Sequence, residues 1–218
     1  MQIHIDPPWL LVKFDRPHNL LSWSINRPGY VVTEQVAWLQ VENRDLPPDL
    51  DPKQFLCERL QERNLSDAVA FMTSRDITSW QDESVRHGGV ECRGVMTLDL
   101  GNGSHVGFPN SHAAATGVGT INLLCQLSEP LNRAAMLEGI SILTQGRTAA
   151  LTEMACTPRA ASQPVTGTGT DCIAIACPVS QAGAEYAGLH TAIGKVLGSC
   201  AYNLTKKTAT EWMMENGL

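Results

Sequence analysis

Hydrophobic and polar positions alternate most sharply between Thr120 and Leu127. Ile121, Leu123, Cys125 and Leu127 share one face, and Thr120, Asn122, Leu124 and Gln126 share the other. A period of two predicts a strand with one strongly apolar face. The run CIAIACP at 172–178 is apolar or small on both faces, the pattern of a central strand covered on both sides. Between them, Met136, Ile140, Leu143, Arg147 and Leu151 recur at helical spacing, which predicts a long helix from about Leu131 to Met154. Ser128 or Glu129 would cap it, with Pro130 in its first turn. Gly139 and Gly146 fall inside this helix, where each costs on the order of 1 kcal/mol against Ala, so close packing is the reason to expect for them. A last helix runs from about Thr191 to Glu215, with Ile193, Val196, Leu197, Cys200, Leu204 and Trp212 as its buried stripe.

The first half of the chain reads as strands with turns. WLLVKF, LLSWSI and YVVTEQVAWLQV are the apolar runs, and Asn26-Arg27-Pro28-Gly29 turns the chain between the last two. Asp51 as N-cap and Pro52 at the first helical position open a helix through CERLQERN. AVAFM and GVMTLDL read as two further strands. Together these elements predict an α/β or α+β fold, a single domain over residues 1–218 whose mixed β-sheet is packed by helices.

Three segments could carry chemistry. Thr166-Gly167-Thr168-Gly169-Thr170-Asp171 puts three hydroxyls and a carboxylate beside two glycines that let backbone N–H groups approach a ligand. No Lys-Ser/Thr pair follows, so it is not a P-loop, and its glycines precede a strand rather than open a helix, so it is not a dinucleotide fingerprint. A tight polar turn held by its own side chains is the competing reading. His190, in Tyr186-Ala187-Gly188-Leu189-His190-Thr191, stands at a helix start, where the backbone dipole favours a neutral imidazole suited to general base work. A simple capping role is the alternative there. Thr97-Leu98-Asp99-Leu100-Gly101-Asn102-Gly103 reads first as a strand running into an Asn-Gly hairpin turn.

Composition narrows the partners. A net charge of -6 over 218 residues argues against nucleic acid or an anionic membrane surface. The chain has seven cysteines, an odd number, without a CxxC pair, which suits reduced buried thiols in a cytoplasmic protein. Asp6, Pro7 and Pro8 break the opening residues, so no signal peptide is expected. Cys172 and Cys177 lie an odd number of residues apart on one strand and so point to opposite faces. His87, His105 and His112 lack ligand spacing, so no metal site is expected.

These segments occur together and in order, and in that combination the chain resembles the adenosylcobinamide amidohydrolase family. HNLLSWSINRPGYV is similar to the family's opening segment, DPKQFLCERL with AVAFMTSRDI to its helix and MTA segment, and TLDLGN to its T-x-G-L-S-N turn. GTINLLCQLSEPLNRAAMLEGISILTQGRTAAL resembles its GTIN strand and long helix, and TGTGTDCIAIACP and YAGLHTAIGKVLG its most distinctive motifs. The resemblance covers about residues 17–205. It implies hydrolysis of the amide joining the aminopropanol arm to the corrin ring, giving adenosylcobyric acid and aminopropanol, in the salvage of corrinoids. Cobalt would enter only as part of the substrate, with no other cofactor. The expected partner is a small-molecule corrinoid, with no nucleic acid and no membrane, and a homo-oligomer is compatible with this.

Carried onto these motifs, Thr168 or Thr170 would supply hydroxyls, and Asp171 and His190 the base and acid. Thr166, Gly167, Gly169, Asn102, Thr120, Asn122 and Thr191 would contact substrate. The two motifs are expected to converge on one cleft. Acyl-enzyme chemistry and direct water attack both stay open, and so do two rival functions: hydrolysis of another large amide, and corrinoid binding without catalysis. The chain departs from the family pattern at Arg27, at Ser74-Arg75, where the family has alanines, and at Asp99, where it has glycine.

Overall fold

A computed structural model describes residues 1–108, 119–158 and 163–218. Its centre is an eight-stranded mixed sheet. The first half supplies β1 (Gln2–Asp6), β2 (Trp9–Ser22), β3 (Gly29–Gln40), α1 (Pro52–Glu62) and β4 (Val69–Thr73). The middle supplies β5 (Gln81–His87), β6 (Val90–Leu98), the two-residue β7 (Gly103–Ser104) and β8 (Ile121–Leu127). Then come α2 (Arg133–Glu153), the short β9 (Gly167–Thr168), β10 (Cys172–Pro178) and α3 (Ala192–Glu215). The order across the sheet is β4-β3-β2-β10-β8-β6-β5, with β1 paired on β2. β10 runs antiparallel to β2 and parallel to β8, so α2 is the crossover between two parallel neighbours.

The sheet curls. Trp38 and Phe71 of β3 and β4 pack in one cluster with Leu124 of β8 and Ala174 of β10, although β2 lies between them in the sheet. Asn122 closes the curl by donating its side-chain amide to the carbonyl of Met72 at 2.8 Å. On the convex side, α2 and α3 cover Ile121, Leu123, Cys125, Ile173 and Ile175, while α1 covers Ala37, Leu39 and Ala70. The alternation in 120–127 therefore separates the helix-covered face from the concave one, and Cys172 and Cys177 do fall in different clusters. β10 is buried at every position, as its doubly apolar pattern implies.

Several boundaries differ from the sequence reading. The first two apolar runs are one strand, β2, with a register irregularity between Lys13 and His18 that absorbs the polar residues. α2 is capped by Asn132, whose side chain accepts from Ala135 N–H at 2.8 Å, rather than by Ser128 or Glu129. Leu131 bridges to Ala184 instead of joining the helix. Asn102-Gly103 is not a hairpin turn, because Gly103-Ser104 pairs with Gly167-Thr168, more than sixty residues along the chain. Asp51 caps α1 as expected, and Thr191 caps α3. Gly146 lets α2 and α3 touch, since a Cβ there would stand 2.7 Å from the Gly198 carbonyl. No helix among the described residues is long and apolar enough to cross a membrane.

Candidate functional site

One mouth of the curled sheet opens into a cleft of about 530 Å³. Four stretches far apart in sequence build it: Ala70–Ser74 at the end of β4, Asn102, Gly119–Asn122 at the start of β8, and Gly169–Cys172 at the start of β10. Trp23, Ile25, Val41 and Leu46 form an apolar wall. Trp23 is 46% exposed, and its indole N–H is fixed by the Asp171 carbonyl at 2.6 Å, so a flat apolar face stands at the rim.

The polar groups are laced together from behind. Thr120 donates its hydroxyl to the Thr170 carbonyl at 2.9 Å, and Thr170 donates to the Gly119 carbonyl at 3.0 Å. This reciprocal pair locks the starts of β8 and β10 to each other. Thr97, opposite Asn122 on the neighbouring strand, is fully buried with a hydroxyl that has no partner among the described residues. Asn102 reaches the cleft beside Gly169, its amide nitrogen 3.5 Å from where a Cβ on that glycine would stand. An amide in that position can donate to an oxygen in the cleft.

Asp171 is an anchor. One carboxylate oxygen accepts the Thr168 hydroxyl, the Thr168 N–H at 3.0 Å and the Ile121 N–H at 3.2 Å. The other oxygen pairs with Arg147 of α2, and both side chains are 9% exposed. Three donors thus share one oxygen and the guanidinium takes the other, and together they tie the loop to β8 and α2. Gly167 is required beneath it, because a Cβ there would overlap the Arg147 guanidinium. Arg147, placed on the helix stripe by sequence, is thus the buried cation of the site and not a stray polar residue.

Of the residues expected at the site, Asn102, Thr120, Asn122, Gly169, Thr170 and Asp171 line this cleft. Thr168 and Gly167 sit behind it in the β7–β9 ribbon. Thr166 is engaged there too, its hydroxyl accepting from Val106 N–H at 2.8 Å. The expected convergence with His190 and Thr191 does not occur. Trp212, near the end of α3, bonds Asp99 at the cleft side, whereas Ala192 at the start of α3 packs by Gly88 in the far β5–β6 turn. Twenty helical residues separate Ala192 from Trp212, about 30 Å at 1.5 Å each. Thr191 is the α3 N-cap, its hydroxyl accepting from Gly194 N–H at 2.8 Å, and His190 is exposed beside it. The cap of α3 is thus Thr191 and not His190, and the start of α3 lies over the end of the sheet away from the cleft.

Ser74 and Asp99 were visible in the sequence only as departures from a pattern. In the fold, Ser74 lines the cleft and donates its hydroxyl to Asp99 at 3.0 Å. Asp99 is braced by Gly101 N–H at 2.9 Å and by the Trp212 indole at 3.2 Å. Nothing in local spacing marks a pair 25 residues apart.

Chain spacing also missed a thiol cluster. Cys92, Cys125 and Cys200 come from β6, β8 and α3, and their sulfurs lie within 4.8 Å of one another. Hydrogen bonds from the Cys125 and Cys92 thiols hold the Cys200 sulfur down to about 5. All three are buried in the helix-covered cluster, on the opposite face of the sheet from the cleft, with no carboxylate or imidazole to complete four ligands among the described residues. His112 lies outside the described residues.

A family model described as adenosylcobinamide amidohydrolase matches residues 1–217 of the chain. No curated protein matches it.

Proposed function

The chain belongs to the adenosylcobinamide amidohydrolase family, and from that premise we propose that the cleft at the mouth of the curled sheet is where the amide of the aminopropanol arm is hydrolysed. The observation that carries this reading is the meeting of four separated segments, 70–74, 102, 119–122 and 169–172, on one cavity. A fold needs no such meeting of Asn, Thr and Gly at a sheet end, whereas a preorganised site does.

The chemistry asks for donors at the carbonyl oxygen, a placed nucleophile and a surface for the ring. Asn102 supplies a side-chain donor directed at the cleft. The Thr120–Thr170 pair fixes two hydroxyl oxygens whose protons are committed to carbonyls, so their lone pairs are left for a water or for substrate N–H. Asp171 and Arg147 act through position, holding Thr168 and Thr170 in register with β8. The apolar wall with Trp23 suits a broad macrocycle, whose burial would supply most of the binding energy.

Hydrolysis proceeds in this reading without a protein-bound metal, with cobalt present only inside the substrate. The cysteine cluster lies on the wrong face of the sheet to activate a water in the cleft. The acidic net charge supports a small-molecule partner rather than nucleic acid, and seven unpaired cysteines support a reducing compartment, the cytoplasm.

Incubation of the protein with adenosylcobinamide, followed by chromatography, is expected to yield a new corrinoid carboxylate and free aminopropanol in equal amounts. A shift of the corrinoid spectrum without acid would mean binding alone and would overturn the reading.

A further inference from the structure

The described lining of the cleft contains no lysine, arginine or histidine. Arg147 is committed to Asp171, and Arg75, next to Ser74 in the chain, to Glu215. Asp171 is balanced by its arginine. Asp99 has no ion-pair partner among the described residues and is held only by neutral donors, Ser74, Gly101 and Trp212. The cleft wall at Ser74 is therefore backed by an uncompensated negative charge. Because Ser74 gives its proton to Asp99, its oxygen presents lone pairs to the cleft. That combination accepts a hydroxyl or amine N–H and repels an anion.

We propose that Ser74 and Asp99 form a specificity pair that takes the leaving arm with its free hydroxyl and excludes the same arm once that hydroxyl is phosphorylated. This rests on the reading of the cleft given above. The hydroxyl of the arm donates to Ser74, in a chain that ends on the Asp99 carboxylate. A phosphate in the same place would bring a charge of about −1.5 to −2 against that carboxylate, with no cation in the described lining to receive it. Trp212 and Gly101 fix the Asp99 side chain, so it cannot swing away to relieve the repulsion.

The test uses the full chain and three substrates: adenosylcobinamide, the same corrinoid phosphorylated on the arm hydroxyl, and the same corrinoid with an arm lacking that hydroxyl. Values of kcat/KM and, separately, dissociation constants read from quenching of tryptophan fluorescence are compared for wild type, Ser74→Ala and Asp99→Asn. Circular dichroism confirms that each variant is folded. Wild type is expected to prefer the free hydroxyl by 100-fold or more. Asp99→Asn keeps the shape and the indole acceptor, and is expected to reduce that preference at least tenfold, mainly by tighter binding of the phosphorylated arm. Ser74→Ala is expected to raise KM for the free hydroxyl with kcat little changed, and to erase discrimination against an arm lacking the hydroxyl.

Equal use of the free and the phosphorylated arm by wild type, or an unchanged ratio in Asp99→Asn, would overturn the proposal. Should turnover be absent while the binding ratio holds, the hydrolysis reading fails and the specificity pair stands.

Discussion

At one end of the curled sheet His18, Gln126, Arg93 and Asp82 close on one another, and at the other Asn102, Thr120, Thr170 and Ser74 stand around an open cleft. Both ends carry polar residues, and both contain hollows, of about 320 Å³ and 530 Å³. The difference lies in how the polar atoms are satisfied. At the closed end the His18 ring nitrogens meet the Arg16 carbonyl at 2.8 Å and the Gln126 amide at 2.9 Å, while Arg93 pairs with Asp82 at 2.7 Å and reaches the Met1 carbonyl. The Arg93 and Asp82 charges there cancel each other. At the cleft end the Asn102 amide, the lone pairs of Ser74 and Thr120, and the charge of Asp99 are left over for something else. Surplus bonding capacity, rather than polarity or volume, distinguishes a site from a polar plug.

The contrast can be broken most forcibly at Asp171. Asp171→Ala leaves Arg147 buried and unpaired, a loss of about 3–5 kcal/mol by analogy with other broken buried pairs, read as a lower urea midpoint, and activity should fall with it. The double change Arg147→Met with Asp171→Asn should recover part of that stability but none of the activity. An unchanged midpoint in the single variant would mean that the loop is not anchored as described.

Asn102→Ala should behave in the opposite manner. Its amide has no partner among the described residues, so the unfolding midpoint should stay near wild type, while kcat drops on the order of 10²-fold if the amide stabilises the oxyanion. A loss of stability without loss of turnover would make Asn102 a structural residue.

The closed end predicts a pH effect on stability. Burial holds the His18 imidazole below its usual range. The unfolded chain then binds this proton more readily than the folded one, so the contribution is complete above the unfolded value of about 6.5 and is lost as pH falls through it towards the folded value. Thermal midpoints should decline over that window in wild type and decline less in His18→Gln.

His190→Ala should have the smallest effect: turnover within about twofold of wild type, and stability within about 0.5 kcal/mol, as for an exposed position far from any buried network. A hundredfold loss of turnover would require the start of α3 to reach a cleft after all, its own or that of a second copy.

Elements with a strong period were legible in the sequence. β8, β10, α2 and α3 follow from residues 120–127, 172–178, 131–154 and 191–215 because each buries a face whose spacing is fixed by its own geometry. β1 and β5 were missed, being short or largely polar edge strands with little apolar signal. Within the site, the loop 166–171 and the Asn102, Thr120 and Asn122 positions stood out by their motifs. The separation of His190 from them did not, because it depends on the direction in which a 24-residue helix lies across the sheet. Ser74 with Asp99, Arg147 with Asp171, and the cysteine trio are contacts between distant segments, which no local pattern encodes.

The position of β10 bears on the order in which the molecule can assemble during synthesis. β1 to β4 form one half of the sheet and β5, β6 and β8 the other, and β10 is the strand that pairs with both. Until the ribosome has released that stretch, β2 at 18–21 and β8 at 122–126 each present an unpaired edge, the situation in which nascent chains are prone to wrong partners. Both halves of the cleft exist by then, but they have no fixed distance from each other. The strand that carries the Thr170–Asp171 loop is also the one that zips the halves together, so a nascent chain has no complete cleft before its sheet is whole.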